Sequence, residues 1–362
     1  MALSPQEAAL LWSHLNVLTK DRYDAILEVF GSLEDAAKHV DETLLRGLGC
    51  REDTIRTVLL RLDEYDNGTA ARELALSGCR LISLTDAEYP RHLREIGDPP
   101  VFLYVRGDLS ILAHPCIALV GTRQMSPYGR RVAQEFTSAF IGAGMVTVSG
   151  LASGIDSAVA EESLRLGGKT VAVLGHGLGM IYPASNEKLA RRIVDGGGLL
   201  MSEFFLSMEP GKFTFPARNR VIAALCAATV VLEAPEDSGA IITADLAFDY
   251  SRDVFAVPGQ IFDERYAGCH RLISTGRARL AASPGDVLRE LGVVAPLASV
   301  SDYDPKSEDE SKLLAALSGM PQPVDDLVEK TGIDPGRVAA ALTMMELGGG
   351  ARNMGAGQWV RG

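Results

Sequence analysis

No apolar run in the 362-residue sequence approaches the roughly 20 residues that cross a bilayer, so no membrane-embedded segment is expected. The opening stretch, MALSPQEAALLWSHL, lacks a basic start leading into an apolar core and does not read as a secretory leader. Cysteine is sparse: Cys50, Cys79, Cys116, Cys226 and Cys269 are scattered, odd in number and without a CxxC pair. That pattern predicts buried thiols in a reducing cytoplasm, and neither a disulfide framework nor a zinc site. The six histidines fall in no metal-ligand spacing. GxSxG and GxxxxGK[ST] are absent, which removes the commonest hydrolase and nucleotide-phosphate signatures. No catalytic constellation, metal or cofactor is therefore expected.

What remains is ordinary globular material, 47% hydrophobic and 23% charged. The length predicts two or three domains. The net charge of −12 argues against a chain that coats nucleic acid with a general positive field, but its distribution matters more. Residues 1–88 carry 9 Lys+Arg against 16 Asp+Glu, residues 89–292 carry 20 against 21, and residues 293–362 carry 6 against 10. Any anion site must be a local cluster, and the near-neutral middle segment is the place for it.

Residues 1–88 read as helical, with apolar spacing near 3.6 in LSPQEAALLWSHL and RYDAILEVF. LLRGLGCREDTIRTV is similar to a helix-hairpin-helix turn, with Gly47 and Gly49 between two helices. Such a hairpin can hold a phosphate, but its acidic surroundings favour a small packing or partner domain. From about residue 89 the pattern changes to short apolar runs alternating with helical stretches. CIALVG (116–121), MVTVSG (145–150), TVAVLG (170–175) and ATVVLEA (228–234) are strands of this kind. Such alternation predicts βαβ units, a mainly parallel sheet covered on both faces, and an α/β doubly wound fold over 89–292. Ligands in such folds sit beyond the carboxyl ends of the strands. Residues 293–310 are polar and Pro/Ser/Asp-rich and read as a linker. Residues 311–362 give three helical stretches and a terminal hairpin, the pattern of a winged helix.

Five stretches after strands are candidates for an anion or nucleotide. In ALVGTRQMSPYGRR, the strand ends at Gly121, Ser126 is an N-cap and Pro127 fits the first helical position. The helix start offers free N–H groups, and Arg123 can fork onto a phosphate; the same residues also suit a plain strand–helix turn. In VSGLASGID, Ser149, Gly150 and Gly154 permit close backbone approach, or close packing of helix on sheet. LGHGLG (174–179) is a weak dinucleotide signal whose ribose-binding acid is missing: Asp195 lies at a helix end, not a strand end. EPGKFTFPARNRVIAAL is the most informative stretch. It interleaves Lys212, Arg218 and Arg220 with Phe213 and Phe215, the cations and aromatic faces that single-stranded nucleic acid requires together. Its alternative is that the phenylalanines are core and the arginines cap the helix or pair with Glu203. LEAPEDSGAIITADLAF adds a helix start at Ser238-Gly239 and the hydroxyl of Thr243. Asp156, Glu203 and Glu233 lie near strand ends, where caps and salt-bridge partners are expected.

Taken in order, YPRHLREIGDPPVFLYVRG, VGTRQMSPYG, SGLASGID, LGHGLGMIYPASN, FPARNR, EAPEDSGAIITA, VFAVPG and GCHRLISTG resemble the DprA/Smf family of DNA-processing proteins. The resemblance implies an extended Rossmann-like fold flanked by a small helical SAM or helix-hairpin-helix-like domain (1–88) and a DprA-type winged helix (311–362). It implies a non-catalytic, cytoplasmic single-stranded DNA binder of natural transformation that protects incoming DNA and helps load a RecA-type recombinase. By motif match, Arg123 and Lys212 would hold phosphates, Phe215 would stack or shape the pocket, and Arg218 and Arg220 would complete a basic rim. Gly121, Ser149, Gly150 and Gly154 would make close backbone contacts, with Thr122, Ser126, Asn219 and Thr243 in the same DNA-binding set. A homodimer is implied, with His270 and Ile273 at its interface. The rival class is a phosphoribohydrolase-like nucleotide enzyme, but SGAIITAD stands where those carry PGGxGTxxE.

The chain departs from the family pattern at Ala160, where a histidine is common, at Gly179, where an aspartate is common, and at Ser251, where a glycine is usual. The first two remove the natural candidates for chemistry and leave the phosphate and stacking positions intact. In the winged helix, PGRVAAALTMMELGG offers one arginine among many apolar residues. Groove reading needs several polar side chains at base edges, so a protein-contact or regulatory role is expected there.

Overall fold

The computed structural model describes residues 3–293, 303–318, 321–355 and 357–361. The chain forms two compact units, Met1–Val294 and Ala295–Gly362.

The first unit opens with six helices: α1 (Pro5–Leu15), α2 (Lys20–Phe30), α3 (Leu33–Ala37), α4 (Glu42–Gly47), α5 (Glu52–Glu64) and α6 (Asn67–Ser77). Side-chain caps fix five of their starts. Ser4, Thr19, Ser32, Asp41 and Asp66 each accept a hydrogen bond from a backbone N–H three residues on. The hairpin between α4 and α5 turns at Gly49, whose φ of +72° suits glycine. Its carbonyls are already held: Arg22 donates to Leu48 O at 3.0 Å and Gly49 O at 3.4 Å.

A nine-stranded sheet follows: β1 (Arg80–Ser83), β2 (Phe102–Gly107), β3 (Cys116–Gly121), β4 (Val146–Ser149), β5 (Thr170–Val173), β6 (Leu199–Ser202), β7 (Ala228–Glu233), β8 (Asp253–Ala256) and β9 (Arg279–Leu280). The order is β1-β2-β6-β5-β4-β3-β7-β8-β9. Strands β6 to β9 in that order are parallel, and β1 and β2 join antiparallel at one edge. The connecting helices are α7 (Arg91–Arg94), α8 (Pro127–Gly142), α9 (Ile155–Arg165), α10 (Glu187–Asp195), α11 (Thr214–Leu225), α12 (Gly239–Asp249), α13 (Ala267–Ser274) and α14 (Pro284–Glu290).

Strand alternation sends successive side chains to opposite faces. Leu103, Val105, Val171, Val173, Leu199 and Met201 enter one core with Trp12, Val221 and Ala244. Tyr104, Ala172 and Leu200 enter the other with Leu10, Leu74, Leu189 and Ile193. This is the doubly wound α/β sheet the sequence predicts. The expected boundary at 88/89 falls between β1 and β2, two paired strands, and α1 contributes to both cores. Tyr104 Oη donates to Ser13 Oγ at 2.9 Å, tying α1 to the sheet.

The second unit contains α15 (Glu308–Ala316), β10 (Gln322–Pro323), α16 (Val324–Thr331), α17 (Pro335–Leu347), β11 (Ala351–Gly355) and β12 (Gln358–Arg361). Its three strands run in the order β10-β12-β11, a winged helix around Leu313, Leu327, Leu342 and Trp359. Of the expected linker 293–310, residues 294–302 lie outside the described residues. Residues 303–310 carry a buried Tyr303 whose hydroxyl donates to Glu310 at 2.6 Å, so they belong to this unit's core. In α17 the arginine, Arg337, is bound by Asp309 at 2.7 Å.

Candidate nucleic-acid interface

After β3 the chain winds toward β6, and after β7 it winds the other way toward β9. The crevice between β3 and β7 is therefore the topological switch point, the place where open α/β sheets leave room for a ligand. A cavity of about 530 Å³ opens there. It is lined by residues 120–124 after β3, by Ala152 and Asp156 after β4, by Phe215, Arg218, Asn219 and Ile222 of α11, and by residues 237–240 and Thr243 at the start of α12.

Each expected site residue has a definite place. Arg123 is exposed at the mouth, with its guanidinium 5.2 Å from the centre of the Phe215 ring. Lys212 is exposed two residues before α11 and is in no ion pair among the described residues. Phe213 is 90% exposed, so it is not core. Phe215 is half-buried and lies over Gly175, where a Cβ would come within 2.7 Å of its ring.

Helix α11 begins at Thr214, so Arg218 and Arg220 both lie within the helix, which separates them. Two residues on an α-helix are about 200° apart, so Arg218 and Arg220 face opposite ways. Arg218 is buried and faces the cavity, donating to the carbonyls of Gly150 (2.8 Å) and Val173 at the ends of β4 and β5. Its Nε donates to Asn219 Oδ1 at 3.1 Å, and Asn219 Nδ2 donates to Gly239 O at 3.2 Å. Asp156 accepts from the N–H groups of Gly150 and Ala152 at 3.0 and 3.3 Å. Burial pushes the Asp156 carboxyl up against the pull of Arg218, and pushes Arg218 down to about 10, so the guanidinium keeps its charge at neutral pH.

Arg220 does not complete the rim. It binds Glu203 and the Asp98 carbonyl instead, on a second cavity of about 380 Å³ that Trp12, Lys20 and Pro99 also line. Burial pushes Glu203 up, and its Oε1 has no protein partner among the described residues. Pairing with Glu203, one of the two alternatives for these arginines, is thus what Arg220 does.

The start of α8 is not a free anion site either, because the protein supplies its own anion. Glu233, fully buried at the end of β7, accepts from Ser126 N (2.9 Å), Ser126 Oγ (2.5 Å) and Tyr266 Oη (3.0 Å). Ser126 Oγ in turn accepts from Gly129 N at 2.9 Å. Glu233 is a cap, as strand-end acids were expected to be, but it caps a helix 107 residues away in sequence. Thr122 N donates to Glu233 O at 2.7 Å and its hydroxyl accepts from Gln124 N, so Thr122 is buried in the same turn.

The expected glycines owe their identity to packing. A Cβ on Gly121 would meet Ile155 Cγ1 at 2.6 Å. One on Gly150 would enter the Arg218 guanidinium, and one on Gly154 (φ +81°) would enter the Thr122 and Arg123 carbonyls. Ser149 Oγ is turned into the sheet, donating to Leu119 O at 2.9 Å. Thr243 is buried and its hydroxyl is 3.4 Å from Gly239 O. Gly239 is different: a Cβ there would meet nothing within 4 Å. The start of α12, capped by Ser238, opens into the cavity and is the helix terminus left for an anion. The LGHGLG loop is packed shut, with Gly177 and Gly179 against the Phe205–Leu206 carbonyls.

The mouth thus presents exposed Arg123, half-buried Phe215 and an open helix start, with buried Arg218 and Asp156 behind them, and exposed Lys212 lies two residues before α11. Residues 80–292 match the family described as DNA recombination-mediator protein A, and residues 298–357 match the DprA winged helix domain. The chain belongs to the DNA recombination-mediator protein A family. Among its DprA/Smf relatives, the DNA processing protein DprA of Streptococcus pneumoniae is 40% identical over 258 residues, 70% of this chain and 89% of the relative. Protein Smf of Synechocystis is 31% identical over 385 residues, 96% of each. The X-ray structure of DprA from Streptococcus pneumoniae superposes with a TM-score of 0.68 at 36% identity, over 80% of this chain and 99% of that one. DprA from Helicobacter pylori, whose structure is described by its single-stranded DNA binding mode, gives a TM-score of 0.54 at 29% identity over 59% of this chain and 97% of that one. No helix among the described residues is long and apolar enough to cross a membrane.

Reading the sequence alone overlooks Tyr182, whose ring lies 5.9 Å from that of Phe215. It stands in MIYPASN, next to a loop read only for its glycines. His176 holds it in place: Tyr182 N donates to Nε2 at 3.2 Å, while the other ring nitrogen faces Gly177 O at 3.0 Å. His270 and Ile273 lie on α13. His270 Nε2 is within hydrogen-bond distance of both backbone groups of Gly259, and Ile273 is half-buried against the core.

Proposed function

We propose that the switch-point mouth holds single-stranded DNA, that the protein protects incoming DNA in natural transformation, and that it passes the strand to a RecA-type recombinase in the cytoplasm. The observation that carries this reading is exposed Arg123 against the Phe215 ring, beside the open start of α12, with exposed Lys212 three residues before Phe215 in the chain. Cations track a phosphate backbone, and an aromatic face takes a base of any sequence. The reading is of a holding site, not a catalytic one. The buried acid facing the cavity, Asp156, accepts from two backbone N–H groups and lies in the field of the Arg218 charge. A homodimer through α13, with His270 and Ile273 at the interface, belongs to the same proposal, and Ile273→Asp should leave a monomer in light scattering.

Fluorescence anisotropy with an oligo-dT strand and with a duplex of equal length, at two salt concentrations, tests the site. Single-strand preference weakened by salt, by Arg123→Ala and by Lys212→Ala is the expected result. Absence of wild-type binding at low salt, or variants that bind as well as wild type, would overturn it.

A further inference from the structure

We infer that the base-stacking face of this site belongs to Tyr182, and that Phe215 is the support behind it. The inference rests on the single-stranded DNA reading and assigns the stacking within it to a particular ring. Phe215 is the obvious candidate by position, but its ring is already surrounded. It lies over the Gly175 backbone, close enough that a Cβ there would reach its ring at 2.7 Å. The Arg123 guanidinium sits 5.2 Å from its centre. Tyr182 sits 5.9 Å away at an interplanar angle of 43°. Contacting aromatic rings lie about 4.5–7 Å apart, so Phe215 and Tyr182 are already partners, with no room for a base between them. Phe215 is accordingly half-buried, whereas Tyr182 remains 47% exposed.

An exposed tyrosine needs a reason to keep its orientation, and here the backbone supplies it. Tyr182 N donates to buried His176, so the residue is anchored from below while its ring projects from the loop. Arg123 and Tyr182 both lie against the Phe215 ring, and of the two rings Tyr182 is the more exposed. A nucleobase placed on Tyr182 extends this aromatic contact on its solvent side. The class of ligand is an unpaired base of a single strand, since a base inside a duplex has no free face.

The test uses the full-length protein and an oligo-dT strand carrying one 2-aminopurine, whose fluorescence is quenched by stacking. Tyr182→Ala should weaken binding by about five- to a hundred-fold and abolish the protein-induced quenching. Tyr182→Phe should restore both, because the ring and not the hydroxyl acts; Tyr182→Leu, similar in bulk, should restore neither. The thermal melt of each variant should match wild type, as the ring is half in solvent. If wild type binds and Tyr182→Ala binds and quenches equally, the assignment to Tyr182 is wrong while the site stands. Quenching lost only in Phe215→Ala overturns the assignment in the same way. If wild type holds no single strand, the underlying reading fails and this inference falls with it.

Discussion

Replacing Glu233 by glutamine keeps the shape of the α8 cap and removes its charge. The carboxylate now accepts three hydrogen bonds, from Ser126 N, Ser126 Oγ and Tyr266 Oη. Hydrogen bonds to a charged group contribute about 1.5–3 kcal/mol each, against about 0.5–1.5 for neutral pairs, so turning them neutral costs about 1 kcal/mol per bond. The amide must also place its NH₂ where two hydroxyls now donate, and Ser126 Oγ is already committed to Gly129 N. Loss of a negative charge from a helix start adds about 0.3–1 kcal/mol. The charge no longer has to be buried, which pulls the other way. The expected net loss is about 2 kcal/mol. The two tryptophans make this readable, because Trp12 is buried in the first unit and Trp359 in the second. Urea unfolding followed by fluorescence in a Trp359→Phe background reports the first unit alone. A loss below about 0.5 kcal/mol would refute the internal anion as the cap of α8. Ser126→Ala separates the two uses of this helix start. It should cost about 2–4 kcal/mol, as a lost cap plus a lost donor to the buried carboxylate, and leave oligo-dT affinity unchanged, whereas a phosphate held at Ser126 would show as weaker binding.

Other perturbations separate packing from binding. Arg220→Ala leaves a buried Glu203 without its partner and should destabilise the protein by about 3 kcal/mol, while Lys212→Ala should leave the urea midpoint alone and reduce the salt dependence of DNA binding by about one phosphate's share. Gly154→Ala, at φ +81° against two carbonyls, should cost more than about 1 kcal/mol; Gly239→Ala, with free space for the added Cβ, should cost almost nothing in stability and weaken oligo-dT binding measured by anisotropy. Burial lowers the pKa of His176, so neutral His176 stabilises the fold fully above its unfolded value near 6.5, and that contribution is lost as pH falls through the depressed folded value. Urea titrations at about pH 7.5 and 5.5 should show a smaller loss on acidification in His176→Gln than in wild type.

The strands were legible because buried parallel strands are unbroken apolar runs, and CIALV, TVAV and ATVVL lie where those runs place them. The position of the crevice was legible for a related reason: a doubly wound sheet offers one where the winding reverses, whatever the loops contain. The start of α11 was not, because Phe213 and Phe215 look equivalent in FTFPARNR. Only Gly175, about forty residues earlier on another strand end, makes room for Phe215 and leaves Phe213 in solvent.

The harder limit is the direction of a polar group. Ser126, Pro127 and a strand-ending glycine announce a helix start that wants an anion, and that reading is physically correct. Sequence does not say whether the anion is foreign. Glu233 decides the matter from the end of a neighbouring parallel strand, and only the pairing of β3 with β7 brings it to Ser126. Arg218 and Arg220 illustrate the same point from one helix. Both are cations beside an aromatic, yet one turns to the carbonyls of β4 and β5 and the other to Glu203. A basic cluster counted along a chain therefore overstates the charge available to a ligand, since each cation that finds an internal partner leaves the count. Here the subtraction leaves Arg123 at the mouth and Lys212 just before α11, so if phosphates are bound here, removing these two should remove most of the salt dependence.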